Sequence, residues 1–183
     1  HLQDMSNKLA KKITELESNI HRRAGVEFNV GSPKQLGEVL FETLGMPGGK
    51  KGKTGAYATG ADVLMALSVD GYELAQDVLD FRQMSKLKST YTDALQDHID
   101  LQTGRVHTSY ISSGASTGRL SSSDPNLQNI PIRTEEGRRI REAFLSKDGY
   151  KILSLDYSQI ELRILAHIAE IDSLKKAFHD DLD

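Results

Sequence analysis

The sequence predicts an α+β fold, in which a mainly helical part is followed by a mixed or antiparallel sheet with helices. Two features carry this prediction. Between Leu2 and Ile20, apolar residues recur at steps of three and four, which is typical of an amphipathic helix. After Gly104 the pattern changes, because residues 105–111 favour β-structure and a stretch rich in Ser, Gly, Asn and Pro follows. We therefore expect a domain boundary near residue 100.

The overall composition is ordinary for a water-soluble protein. Hydrophobic residues make up 38% and charged residues 27% of the 183 residues, and cysteine is absent. No apolar run approaches the roughly 20 residues that a membrane-spanning helix needs. The first residues also lack the apolar core of a secretory signal. We therefore expect no membrane segment, and the absence of cysteine fits the cytoplasm.

Positive charge is concentrated in two stretches, although the formal net charge is −3. Residues 45–60 contain three lysines and no acidic residue, and residues 133–141 contain four arginines against two glutamates. Phosphate binding needs such local clusters. Residues 45–60 do not form an ATP-binding phosphate loop, because Pro47 stands where that motif needs glycine. We expect either a flexible loop that binds phosphates or a loop that is merely solvated.

Start and stop signals predict further helices. Ser32 followed by Pro33 is an N-cap with proline at the first helical position, and Gly45 ends the segment. Thr59 and Thr134 are also expected to open helices. The predicted helices cover residues 2–24, 33–44, 60–67, 73–99 with a break near 89–91, 134–141 and 172–178.

Two later segments, residues 143–145 and 150–155, are predicted to be strands. Ser158 and Glu161 have the spacing of a capping box, so a helix is expected to begin just after the second strand. Asp156 would then stand at a strand end, directly before a helix. A carboxylate in that place can hold a divalent cation together with the Tyr157 carbonyl, although Asp is also a common turn residue.

Three motifs resemble family A DNA polymerases, and they occur in the order found in that family. They are DYSQIELR at 156–163, which has the form of the first metal-binding motif, STGRLSSSDPNLQNIPIRT at 116–134 and FNVGSPKQLGEVLFETLGMP at 28–47. The resemblance runs essentially from end to end. It implies a thumb subdomain over 1–100, with a basic tip loop at about 45–60, and the N-terminal part of a palm subdomain over 101–183, truncated before the fingers.

The resemblance implies a DNA-directed DNA polymerase that extends a primer 3′-hydroxyl with deoxynucleoside triphosphates, using two Mg²⁺ ions. Asp156 would be the catalytic carboxylate and, with the Tyr157 carbonyl, a metal ligand. Ser158, Gln159 and Glu161 would bind the nucleotide, and Glu161 would lie beside the sugar and disfavour a 2′-hydroxyl. The implied partners are primer–template DNA and deoxynucleoside triphosphates. The implied state is a monomer associated with the nucleoid in the bacterial cytoplasm.

The resemblance also implies a set of DNA-binding residues. Every base pair presents hydrogen-bond acceptors in the minor groove, so donors there can test pair geometry without reading the sequence. Arg119 is expected to act in this way near the primer end, whereas residues 121–124 are expected to form a polar loop that binds its own backbone. The implied DNA-binding residues are Lys50, Lys51, Lys53, Thr59, Lys86, Lys88, Arg119, Asn126, Gln128, Asn129 and Arg133.

A single carboxylate cannot hold the two metal ions of this chemistry. The Asp–Glu pair and the triphosphate-binding helix of the family lie beyond the matched region, and His179-Asp180-Asp181 is expected to be a surface turn rather than that pair. We therefore expect the 183-residue chain to be inactive by itself. Two alternatives remain open, a catalytically inert DNA-binding fragment and a small metal-dependent nuclease built around Asp156 and Glu161.

Overall fold

The computed structural model describes residues 1–53, 55–132 and 134–180. In chain order, these contain α1 (Leu2–Ala24), α2 (Pro33–Glu38), a first π-helical turn (Val39–Thr43), α3 (Ala61–Val69), α4 (Glu73–Leu87), a second π-helical turn (Lys88–Asp93), α5 (Ala94–Asp97), β1 (Ser109–Ile111), β2 (Ser121–Ser123), α6 (Glu135–Arg141), α7 (Ile160–Ile168) and α8 (Asp172–His179). The predicted α+β class is confirmed. None of the described helices is long and apolar enough to cross a membrane.

The chain falls into two compact units, His1–Phe144 and Leu145–Asp183. The first unit contains α1 to α6 and a two-stranded antiparallel sheet, in which Tyr110 of β1 lies opposite Ser122 of β2. The second unit contains α7 and α8, which pack against each other.

Two hydrophobic clusters form the core of the first unit, and α1 contributes to both. Its C-terminal half supplies Ile20 and Ala24 to a cluster that also contains residues of α2, α3 and α4. Its N-terminal half supplies Met5 and Leu9 to a second cluster, in which Ile140 of α6 is fully buried. The second cluster joins residues from both sides of position 100, which explains why this compact unit extends to Phe144. A subdomain boundary near residue 100 stays a prediction.

Several predicted helix signals are confirmed. Ser32 accepts a hydrogen bond from Gln35 N–H at 3.4 Å, and the Thr134 hydroxyl accepts one from Gly137 N–H at 3.1 Å. Both residues are therefore N-caps, which satisfy backbone donors that the first turn leaves without partners. The predicted break near 89–91 is the second π-helical turn. The helix predicted at 33–44 is α2 continued by the first π-helical turn.

Both strands predicted between residues 143 and 155 are wrong. After α6, the N–H groups of Glu142, Ala143 and Phe144 donate to carbonyls three residues earlier, so the chain continues in tight turns. Residues 151–157 are irregular, and Leu155 is 85% exposed. An apolar run becomes a strand only when a neighbouring strand takes its backbone hydrogen bonds. Among the described residues, only β1 and β2 form a sheet.

Two predicted helix caps are also wrong. The N-cap of α7 is Gln159, which has a left-handed conformation with φ 52° and makes no side-chain capping bond, so Ser158 does not start a capping box. The N-cap of α3 is Gly60. Thr59 is only 6% exposed, and its hydroxyl accepts a hydrogen bond from Arg82 of α4 at 3.3 Å. The Thr59 hydroxyl, which the sequence predicts to cap α3, therefore binds a residue of α4 instead.

Residues 121–123 pair with β1 as strand β2, where the sequence predicts a polar loop. Ser122 is only 2% exposed, and its hydroxyl lies 2.7 Å from the Thr108 hydroxyl and accepts from Leu127 N–H at 3.0 Å. The Ser122 side chain therefore bonds to nearby backbone, as expected for a polar loop. The strand pairing was missed because a run of serines carries no strand signal.

The carboxylate of Asp93 joins the second π-helical turn to α1. It accepts hydrogen bonds from Lys88 Nζ at 2.6 Å and from Ser6 Oγ at 2.6 Å. The bonds from Lys88 and Ser6 hold the pKa of Asp93 below its usual value. The folded protein therefore favours the ionised form of this carboxyl group.

We expect Asp93→Asn to lower the free energy of unfolding by about 1 kcal/mol at pH 7, because Lys88 and Ser6 lose a charged acceptor. Since the folded pKa of Asp93 is depressed, its contribution is present above the usual value of 3.8 and is lost as the pH falls through the folded pKa. The stability difference between wild type and variant should therefore disappear in strong acid. Urea denaturation at several pH values measures it.

The control is Asp97→Asn, which changes an exposed carboxylate on α5 and should leave stability unaltered. Equal stability of wild type and Asp93→Asn at pH 7 would show that the bonds to Ser6 and Lys88 contribute nothing.

Candidate nucleic-acid interface

Residues 50–58 form a hydrogen-bonded turn structure, called the basic hairpin below, where the sequence predicts a flexible loop. Lys51 and Tyr57 pair as an isolated antiparallel bridge. The structure describes the hairpin except for residue 54. Backbone hydrogen bonds within it run from Gly52 N–H to the Ala56 carbonyl at 2.8 Å, from Gly55 N–H to the Gly52 carbonyl at 2.9 Å and from Ala58 N–H to the Lys50 carbonyl at 2.9 Å.

The three lysines of the basic hairpin have different surroundings. Lys51 donates to the Glu42 carboxylate at 3.2 Å, and its ammonium lies 4.5 Å from the centre of the Tyr57 ring. Glu42 first, and then Tyr57, raises the pKa of Lys51. Lys50 and Lys53 are exposed and make no ion pair with the described part of the chain. The lysine-rich stretch itself contains no acidic residue, and the first π-helical turn supplies Glu42 to Lys51.

The other predicted DNA-binding residues before position 100 also differ in accessibility. Thr59 is buried, and both its hydroxyl and its carbonyl accept hydrogen bonds from Arg82. Lys88 is half-buried and pairs with Asp93, whereas Lys86 is exposed on α4. Lys86 is therefore the residue of this group that an external phosphate could reach without breaking an ion pair.

The segment 119–129 places several polar side chains at the surface of the first unit. Arg119, Asn126 and Asn129 are exposed. The side-chain amide of Gln128 is used within the protein, since it accepts from Ser122 N–H at 3.2 Å and donates to the Leu120 carbonyl at 2.8 Å. Gln128 therefore stabilises the path of the chain around β2. Arg133, the last residue of the predicted set, lies outside the described residues.

The predicted catalytic residue belongs to the second unit. Asp156 is exposed in the irregular segment before α7, and Glu161 lies in the first turn of that helix. The start of α7 is held by Arg163, whose Nε donates to the Ser158 carbonyl at 2.9 Å and whose guanidinium lies 4.7 Å from the centre of the Phe178 ring. The position of the segment therefore depends on the packing of α7 against α8.

The oxygen donors of this segment fit the chemistry of Mg²⁺. This ion is usually bound by one or two carboxylates, while water and substrate phosphates complete its octahedron. Asp156 offers an exposed carboxylate and Tyr157 the adjacent carbonyl. Among the residues that the structure describes, no three His, Asp or Glu side chains gather in a way that could hold a metal. Asp156 and Tyr157 could thus supply two of the oxygen ligands that such an ion needs.

Comparison with known proteins identifies the family of the chain. The whole chain, residues 1–183, matches the family model described as DNA polymerase family A. The chain belongs to this family.

Relatives within family A cover the chain almost completely. The DNA polymerase I of Rhizobium leguminosarum is 56% identical over 182 residues, and that of Pseudomonas aeruginosa is 56% identical over 178 residues. These matches cover 100% and 97% of this chain but only 18% and 20% of the two relatives. The chain therefore spans about a fifth of the length of these relatives.

A solved structure is similar to this family A chain over its full length. It is described as the POL domain of Pol1 from M. smegmatis in complex with DNA primer-template and dNTP. The two chains are 43% identical with a TM-score of 0.88, and the match covers 100% of this chain and 32% of the other.

The sequence analysis did not predict two residues that contact Lys51 of the basic hairpin. Glu42 and Tyr57 hold Lys51, yet Glu42 lies nine residues before Lys51 and outside the lysine-rich stretch. Helical periodicity and capping rules act over three or four residues, so they carry no information about this pair. The aromatic residue six positions after Lys51 is the one local signal that could have suggested a lysine–aromatic contact.

Proposed function

We propose that this chain forms the thumb, over residues 1–100, and the N-terminal part of the palm, over residues 101–183, of a DNA-directed DNA polymerase. The observation that carries the proposal is the similarity over 100% of the chain to a polymerase domain described with DNA primer-template and dNTP. Family membership favours a polymerase over the nuclease built around Asp156 and Glu161. The relatives are bacterial DNA polymerases I, and we propose that the enzyme acts on DNA in the bacterial cytoplasm, near the nucleoid, as a monomer.

The first unit would bind primer–template DNA without reading its sequence. The exposed ammonium groups of Lys50, Lys53 and Lys86 suit phosphate oxygens, which every duplex presents. Arg119 and Asn126 are exposed donors that can meet the acceptors common to all base pairs in the minor groove. Such contacts test the geometry of a base pair and tolerate any base, which a polymerase requires.

The second unit would contribute to the reacting centre. The carboxylate of Asp156 and the carbonyl of Tyr157 would hold Mg²⁺, which, when bound, stabilises charge on the attacking and leaving oxygens of phosphoryl transfer. Ser158, Gln159 and Glu161 follow directly and would line the site of the incoming deoxynucleoside triphosphate. Since α7 starts at Ile160, shortly after Asp156, its first turn would be close to any nucleotide that shares a metal ion with that carboxylate.

We expect the purified 183-residue chain to bind primer–template DNA weakly, with no sequence preference and with strong dependence on salt. Replacing Lys50 and Lys53 together by Gln should lower the slope of log affinity against log salt by up to about 0.9 for each lost phosphate contact. Fluorescence anisotropy with a labelled duplex measures this slope. Lys8→Gln with Lys11→Gln on α1 removes the same charge elsewhere and should have a smaller effect; an equal effect would exclude a special role of the hairpin.

Primer extension by the same 183-residue chain is expected to be absent, because one carboxylate cannot hold the two ions of this reaction. A complete family A polymerase that contains this chain should extend the same primer under the same conditions. Templated extension by the 183-residue chain would refute the expectation and assign the whole reaction to these residues. If the unmodified complete enzyme also failed to extend the primer, the proposed function would be refuted.

A further inference from the structure

The basic hairpin is packed onto the first π-helical turn and α2. The rings of Tyr57 and Phe41 lie 5.0 Å apart, measured between their centres. A Cβ added to Gly37 would come within 2.7 Å of the Tyr57 Cβ, and one added to Gly49 within 2.8 Å of the Phe41 ring. Glycine is therefore required at both positions for the hairpin to approach this closely.

Lys51 makes the polar part of the same contact. Its ammonium reaches Glu42 of the π-helical turn at 3.2 Å and lies over the Tyr57 ring, and the Lys51 and Glu42 side chains are each 51% exposed. Glu42 belongs to the surface against which the hairpin packs, and Tyr57 belongs to the hairpin itself. Lys50 and Lys53, by contrast, form no ion pair with the described part of the chain.

We propose that Lys51 is a positioning residue, which attaches the basic hairpin to Glu42 so that Lys50 and Lys53 can contact DNA phosphates. This inference rests on the proposed binding of DNA and divides the roles of the three lysines. A hairpin that is ordered before binding loses less conformational entropy when DNA binds. Lys51 would thus increase affinity through the order of the hairpin rather than through a phosphate contact of its own.

The test exchanges the two charges in the 183-residue chain. The double variant Glu42→Lys with Lys51→Glu keeps the net charge and allows the ion pair to form with reversed polarity. The single variant Lys51→Glu places two carboxylates together and should loosen the hairpin. Two measurements follow: affinity for a labelled primer–template duplex over a range of salt concentrations, and hydrogen exchange of the Gly52 and Ala58 amides without DNA.

If Lys51 positions the hairpin, Lys51→Glu should weaken binding about tenfold, and the double variant should return to within about threefold of wild type with an unchanged salt slope. The Gly52 and Ala58 amides, which donate within the hairpin, should exchange faster in Lys51→Glu and regain protection in the double variant. A double variant that binds as weakly as Lys51→Glu, with a salt slope lower by about 0.9, would make Lys51 a phosphate contact and overturn the inference.

Amide exchange in Lys51→Glu that matches wild type would also overturn the inference, because the ion pair would then not order the hairpin. Failure of the wild-type chain to bind any duplex would refute the proposed DNA binding instead. The exchange measurement needs no DNA, so the two failures can be told apart.

Discussion

In a complete family A polymerase that contains this chain, Asp156→Ala should lower the rate of primer extension by about 1000-fold or more, while the affinity for primer–template DNA stays close to that of wild type. Asp156 is an exposed carboxylate in the irregular segment before α7, and it would hold Mg²⁺ with the Tyr157 carbonyl. Losing such a ligand removes several kcal/mol of transition-state stabilisation, and each 1.4 kcal/mol corresponds to about a factor of ten in rate. Asp156 bears no positive charge for phosphate contacts, so binding should persist.

Single-turnover extension and duplex anisotropy measure the two quantities separately. The matched control is Asp172→Ala, which removes an exposed carboxylate from the first turn of α8 in the same compact unit. That variant should extend primers at the wild-type rate. Normal turnover in Asp156→Ala would remove this carboxylate from the mechanism, and equal losses in both variants would indicate damage to the unit rather than to the site.

The second large effect concerns the choice of sugar. We expect Glu161→Ala, in the complete enzyme, to raise ribonucleotide incorporation relative to deoxyribonucleotide incorporation by about 10- to 100-fold. Glu161 lies in the first turn of α7, beside the segment that carries Asp156, where its bulk would exclude a 2′-hydroxyl. Alanine removes this side chain without the cost that glycine adds in a helix. Steady-state incorporation of matched ribo- and deoxyribonucleotides gives the ratio.

Ser158→Ala is the matched control for Glu161→Ala. Because the N-cap of α7 is Gln159 and Arg163 bonds to the Ser158 carbonyl, loss of the Ser158 hydroxyl removes neither of these features. Because Ser158 would also line the nucleotide site, its loss can lower the incorporation of both sugars, but the variant should keep the wild-type preference for deoxyribonucleotides. If both variants lose discrimination equally, the placement of α7 controls the sugar and Glu161 is not the residue that excludes the hydroxyl.

The sequence by itself determined the family and most of the helices, although not the caps of α3 and α7. Ser32 and Thr134 cap helices as predicted, and the amphipathic period before Gly25 gives α1, because these signals act between residues three or four positions apart. The family follows from motifs that are contiguous in the chain, such as DYSQIELR at 156–163.

Only the tertiary structure decided which polar groups bond within the chain and which remain available to bind DNA. The sequence shows no partner for Lys51, which pairs with Glu42 in the structure. Thr59 is predicted to be a helix cap but bonds to Arg82, which lies 23 positions further along the chain. The same limit applies to strands. Residues 150–155 have the composition of a strand, yet they are irregular here, whereas the serines of β2 pair with β1. A strand or an ion pair needs a partner from elsewhere in the chain, and local sequence does not state which distant groups the fold brings together.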